Sequence, residues 1–173
     1  MAKMSGGVRN VSAGGAAHNN RIAEVARMRA SGKYSSVEMA EKGTGWVAIE
    51  KSTAKHKPEE IEAARHLANK GYKVTLTSEA GNKVVKDGDL FTASFEQRTP
   101  TAKGAKGVNN ALEHAKKKGT DVAVIFDKHR TYNLSEIEAG IRLYESFSNN
   151  KHRFKKIIVI GSTGNVHVHR HNK

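Results

Sequence analysis

The stretch FEQRTPTAKGAKGVNNALEHAKKKGTDVAVIFD, residues 95–127, decides the fold. Its middle, residues 107–118, places Val108, Ala111, Leu112 and Ala115 at helical spacing, and Gly119 follows as the residue that closes a helix. Residues 121–127 form a short apolar run with the length and composition of a buried strand. Ahead of the helix, part of residues 90–98 reads as a strand that must stop before Pro100. Strand, helix and strand in that order predict an α/β unit.

The flanks extend the same pattern. Asn133 followed by Glu136 is a helix-opening pair, and Leu134, Ile137, Ile141 and Tyr144 then fall on one face. Residues 156–160 and 165–169 read as closing strands joined by the turn at 161–164. Upstream, Pro58 suits a first helical position, Glu59, Glu60 and Glu62 suit the positive end of the helix dipole, and Gly71 is the stop. Residues 72–76 alternate as a half-buried strand, and Ala80-Gly81-Asn82 turns the chain toward a further strand at Val84-Val85. From Pro58 the expected order is helix, three strands, helix, strand, helix and two strands: α/β, a mixed sheet flanked by helices. The first six elements match the core order of the restriction-endonuclease-like nucleases of the PD-(D/E)xK type, a similarity of topology that warrants no function by itself.

Residues 1–57 read differently. A Gly- and Ala-rich leader precedes a short helix over residues 18–30, a second short helix is expected from a Ser35–Glu38 capping box, and residues 46–49 suit a strand. The expected division is therefore a basic extension, residues 1–57, and a nuclease-like domain, residues 58–173.

Composition bounds the function. The chain has 173 residues, 30 Lys and Arg against 17 Asp and Glu, a net charge of +13, and no cysteine. Disulfides, zinc ribbons and thiol catalysis are excluded. The apolar runs at 122–126 and 157–160 fall far short of the roughly 20 residues a membrane helix needs, and the first residues lack the apolar core of a secretory signal. The expectation is a soluble protein of the cytoplasm or of a virion. Ten basic and four acidic residues precede Pro58, so both parts are positive and the excess is no removable tail. A polyanion partner, most simply nucleic acid, follows, because clustered Lys and Arg release counterions from phosphate backbones.

In the nuclease order above, the third strand carries an acid and a base two residues apart, on one face. Glu96-Gln97-Arg98 supplies that pair, and Asp87 or Asp89 supplies an upstream acid. Asp87 and Glu96 together would hold a hard divalent cation, most simply Mg²⁺, that activates water and offsets charge on the scissile phosphate. The plainer alternative makes Asp87-Gly88 a hairpin turn and Glu96 and Arg98 an ordinary same-face ion pair.

Phe95-Glu96-Gln97-Arg98-Thr99-Pro100-Thr101, the segment Val108-Asn109-Asn110-Ala111-Leu112, the run Asp121-Val122-Ala123-Val124-Ile125 and residues 154–160 bear on that choice. Together they resemble the C-terminal tRNA-nuclease domains of bacterial contact-dependent growth inhibition toxins, over about residues 58–170. Related domains are carried by phage head proteins. The resemblance implies endonucleolytic cleavage of tRNA, a restriction-endonuclease-like fold and a cognate immunity protein, which against this basic chain should be acidic. It matches Glu96 to the strand acid and Asn110 to the polar residue near the helix start, and Arg98 stands where the family has Lys. Asp87, nine residues before Glu96, fits the spacing better than Asp89, at seven. Arg keeps its proton, so Arg98 can stabilise a phosphorane but cannot act as a base.

Lys103, Lys106, Lys116, Lys117, Lys128 and Arg130 are the expected phosphate contacts, although Lys116 and Lys117 equally suit a solvated helix end. His167, His169 and His171 alternate on the last strand, a pattern read as an exposed chain end rather than a metal site. Two readings stay open: a toxin-type RNA endonuclease, and a non-catalytic nucleic-acid-binding phage head or chromosome-associated protein.

Overall fold

The computed structural model describes residues 15–51, 56–77, 94–147 and 154–170. Among these the elements run α1 (Gly15–Ala30), β1 (Tyr34–Met39), β2 (Trp46–Glu50), α2 (Pro58–Ala68), β3 (Lys73–Leu76), β4 (Phe95–Arg98), α3 (Gly104–Lys116), β5 (Val122–Phe126), α4 (Leu134–Ser146), β6 (Lys156–Ile160) and β7 (Val166–Arg170). They make a mixed α/β protein with two mixed sheets, ordered β1-β2-β3 and β4-β5-β6-β7. The expected turn at 80–82, the strand at Val84-Val85, Asp87, Asp89 and His171 lie outside the described residues.

By its contacts the chain divides into two compact units, Met1–Ser94 and Phe95–Lys173. The sequence placed the boundary between Lys57 and Pro58. The difference has a physical source: β3 pairs parallel with β2, from Trp46 opposite Lys73 to Ile49 opposite Leu76, and α2 is the crossover between them. Residues on both sides of position 57 thus share one sheet.

In the first unit α1 lies on β1, and Val25, Val37, Trp46 and Ala48 form a small core. Glu24 ties the helix to the sheet, accepting from the Trp46 indole at 3.1 Å and pairing with the Lys73 ammonium at 2.8 Å. The Arg21 guanidinium, buried, donates to the Gly43 carbonyl at 2.7 Å. The helix expected from Ser35 is instead strand β1. Antiparallel pairing of Val37 with Ala48 and Met39 with Trp46 buries Val37. Pairing and burial outweigh a capping signal worth about 1 kcal/mol.

The second unit is built on β4, β5 and β6, all parallel, with β7 antiparallel at the edge. Helices α3 and α4 are the two crossovers, and they pack on each other. The Asn133 side chain accepts from Glu136 N at 2.8 Å while Glu136 accepts from Asn133 N at 3.0 Å, the reciprocal cap that the sequence announces. Val108 and Leu112 of α3, Ile141 and Tyr144 of α4, and Ala123, Ile125, Ile157 and Val159 of the sheet share one core. Phe154 stacks on Tyr144 with ring centroids 5.7 Å apart. The two helices approach closely because position 140 is glycine: a β-carbon there would sit 2.5 Å from that of Val108.

Candidate active site at the carboxyl edge of the second sheet

Register places the acid and the base. Glu96 lies opposite Ala123, which lies opposite Ile157; Arg98 lies opposite Ile125, which lies opposite Val159. Residues paired across a sheet share a face, and Ala123, Ile125, Ile157 and Val159 all belong to the helix-covered core. Glu96 and Arg98 therefore project on the helix side of the edge strand β4, as their spacing predicts. Glu96 is buried at 8% exposure and its Oε2 lies 3.6 Å from an Arg98 guanidinium nitrogen. Arg98, with its side chain 38% exposed, carries the pair from the interior to solvent. A recessed carboxylate beside a half-open guanidinium supplies an anchor for a cation or a water and a fixed positive charge for a phosphate.

The expected partners fare variously. Asn110 on α3 is exposed, whereas its neighbour Asn109 is buried at 6% and its Oδ1 has no hydrogen-bond partner. Asn109 is the amide on the inward face; it sits three residues before Leu112, a spacing that already marks it for that face. The upstream acid, Asp87 or Asp89, is outside the described residues, so Glu96 is the single described oxygen ligand of the expected pair. Among the described residues no three His, Asp or Glu side chains cluster as a metal site would need.

The basic residues split by helix polarity. Lys103 caps the start of α3 and Lys106 lies in its first turn, so both sit at the edge where β4 ends with Arg98. Lys128 and Arg130 follow the end of β5 and share that edge. Lys116 and Lys117 are at the far end of the helix, roughly 20 Å away at 1.5 Å per residue. The six expected contacts thus form one group of four at the carboxyl edge and one pair at the opposite edge.

That edge also carries the ordered loop after β5 that holds Lys128 and Arg130, two of the expected phosphate contacts. Asp127, buried, accepts from Thr131 N at 2.8 Å and Tyr132 N at 3.2 Å, which folds residues 127–132 back on the end of β5. Arg130 within it has φ +53°, a left-handed conformation that a non-glycine side chain rarely adopts. The Tyr132 hydroxyl donates to the Ala102 carbonyl, joining the loop after β5 to the loop after β4. Burial, then the nearby Asp127 and Glu136, raises the Tyr132 pKa and keeps it the donor. A β-carbon at position 107 would collide with both groups of that bond, so Gly107 is needed where α3 begins. A cavity of about 530 Å³ opens between this loop, the start of α4 and the β6–β7 turn. Crevices at the carboxyl ends of parallel strands are where α/β sheets bind ligands.

At the other edge, His167 is exposed on β7, and His169 is partly buried with its Nε2 lacking a hydrogen-bond partner. Burial foremost lowers the His169 pKa, His167 adds to the effect and Glu138 opposes it.

No family model matches the chain. No curated protein matches it. Among solved structures, its fold is similar to a chain of the CdiA-CT/CdiI toxin and immunity complex from Burkholderia pseudomallei, with a TM-score of 0.52 and 20% identity. The likeness covers 70% of this chain and 98% of that chain. The resemblance read from the sequence thus has a counterpart in fold. No helix among the described residues is long and apolar enough to cross a membrane.

Proposed function

We propose that this chain is a toxin-type RNA endonuclease that hydrolyses phosphodiester bonds of tRNA, built on the restriction-endonuclease-like plan. The observation that carries the reading is the Glu96–Arg98 pair: a buried carboxylate and a half-exposed guanidinium, 3.6 Å apart on one face of β4. The crossover from β4 through α3 to β5 is the strand–helix–strand order such nucleases use, and the likeness to a chain of a toxin and immunity complex supports the same assignment.

In this reading the oxygen of a water attacks phosphorus and a ribose oxygen leaves. Arg98 stabilises the charge that builds on the non-bridging oxygens. Glu96, with Asp87 or Asp89, would hold a divalent cation, most simply Mg²⁺, which would supply water activation and offset phosphate charge. Lys103, Lys106, Lys128 and Arg130 hold the RNA strand along the edge through its phosphates. An acidic immunity protein covering Arg98, Lys103 and Lys106 would block the same surface, and opposite charge would speed their encounter.

The test is incubation of the purified chain with total tRNA, with and without Mg²⁺, beside the Glu96→Gln variant. Discrete fragments from the wild type and none from the variant are expected. RNA binding without cleavage in any divalent metal would overturn the proposal in favour of a non-catalytic nucleic-acid-binding protein.

A further inference from the structure

The cavity at the carboxyl edge has a lining the proposed chemistry does not use. Two carboxylates border it, Asp127 and Glu136. Both Asp127 oxygens and Glu136 Oε1 already accept from backbone N–H groups, which fixes their positions. Arg130, Ser162, Thr163 and Asn165 also line it, and among the described residues their side chains have no hydrogen-bond or ion-pair partner. The result is a rigid frame with unspent donors and acceptors. Its size falls within the roughly 300–1,000 Å³ of small-ligand sites.

Charge selects the kind of ligand. Two carboxylates against one guanidinium disfavour a phosphate seated inside, whereas a neutral, flat group with donors and acceptors along one edge matches hydroxyls, an amide and a carboxylate oxygen. Arg130 stands exposed at the rim. A guanidinium there can lie on the face of such a ring, with the ligand's phosphate left outside beside Lys128. The left-handed backbone of Arg130 is a local strain of the sort that gathers at binding loops.

We propose that this cavity receives one unpaired nucleobase of the RNA, with Arg130 covering the ring and Ser162, Thr163, Asn165 and Glu136 reading its edge. It is the element that sets where the strand is cut. The ligand class rests on the nuclease reading above; the binding itself is tested apart from cleavage.

The experiment uses the full chain carrying Glu96→Gln and isotope-labelled for amide NMR, titrated with each of the four ribonucleosides and separately with inorganic phosphate. At least one ribonucleoside should shift the amides of Thr131, Gly161 and Gly164 at millimolar concentration, and inorganic phosphate should not. Ser162→Trp, which fills the cavity from the half-buried β6–β7 turn, should weaken that binding about tenfold or more, which is about 1.4 kcal/mol. Arg130→Gly should weaken it in the same direction while relieving the backbone. The proposal is overturned if no ribonucleoside shifts these amides, if phosphate shifts them equally, or if both variants bind as the parent does. Cleavage of tRNA by the Glu96→Gln chain would instead refute the catalytic assignment and leave the nucleoside titration to be judged by itself.

Discussion

Glu96→Gln separates a catalytic carboxylate from a structural one, because the two predict opposite pairs of results. At 3.6 Å the approach to Arg98 is longer than a hydrogen bond, so the attraction is Coulombic. For an effective dielectric near 20 it amounts to about 4 kcal/mol before solvation is counted. Arg98, with its side chain 38% exposed, keeps water that screens much of that, and burying the carboxylate costs several kcal/mol in the other direction. The two contributions nearly cancel. Glutamine keeps the shape and the hydrogen-bonding capacity of the side chain, including toward the further partners Glu96 has besides Arg98. The expected change in stability is therefore within about 1 kcal/mol, or roughly 2–4 °C in Tm for a chain of this size. The expected change in cleavage is a loss of about 100-fold or more. Thermal unfolding followed by circular dichroism gives the first quantity, and initial rates on total tRNA at saturating Mg²⁺ give the second. A variant that cuts at the wild-type rate removes Glu96 from the site. One that unfolds by several kcal/mol makes it a structural residue.

The remaining expectations follow from other parts of the structure. Arg98→Lys should retain cleavage, since a positive charge remains at the same strand position, while Arg98→Ala should slow the chemical step by about 100-fold or more with little loss of RNA affinity; single-turnover rates and filter binding distinguish these. Gly140→Ala should destabilise the chain by about 1–3 kcal/mol despite alanine's better helix propensity, because its β-carbon meets Val108 at 2.5 Å and the Ala105 carbonyl at 2.7 Å, and a lowered urea midpoint would register it. His169 has a lowered folded-state pKa, chiefly through burial, so the folded state favours its neutral form. Stability from this group is complete above its unfolded value of about 6.5 and falls as the pH drops through and below it. His169→Gln should flatten that slope in urea titrations between pH 8 and about 5, and an unchanged slope would remove His169 as its source.

Local signals were legible where they coincide with tertiary demand. Helix α4 begins where Asn133 and Glu136 said it would, since the cap closes within four residues and nothing distant competes. Ser35 and Glu38 spell the same signal, yet the chain there is a strand, because Val37 gains more from pairing with Ala48 than a one-turn helix could return. The contact division at Ser94 rather than Lys57 has a related source: the parallel pairing of β2 and β3 is a contact across a helix, and no run of adjacent residues announces it. Within the site, the period-two spacing of Glu96 and Arg98 predicted their common face, because strand alternation leaves no choice. Asn110 was preferred to Asn109 although only Asn109 extends the stripe of Leu112 and Ala115. The cavity lies beyond any such reading, being assembled from a loop, a helix start and a turn whose residues span positions 127 to 165.

What joins the cavity to the Glu96–Arg98 pair is the hydroxyl of Tyr132. Arg98 is followed by Thr99, Pro100, Thr101 and Ala102 before α3, and the Ala102 carbonyl is the group that Tyr132 binds. Tyr132 belongs to the loop that Asp127 folds and that presents Arg130 to the cavity. Glycine at 107 lets the first turn of α3 press against both partners of the bond. The loop that follows the Glu96–Arg98 strand and the loop that borders the proposed base site are therefore fastened to each other through one part-buried hydrogen bond rather than left as two independent loops. The bond needs a donor that keeps its proton, and burial, with Asp127 and Glu136 nearby, raises the Tyr132 pKa further from neutral.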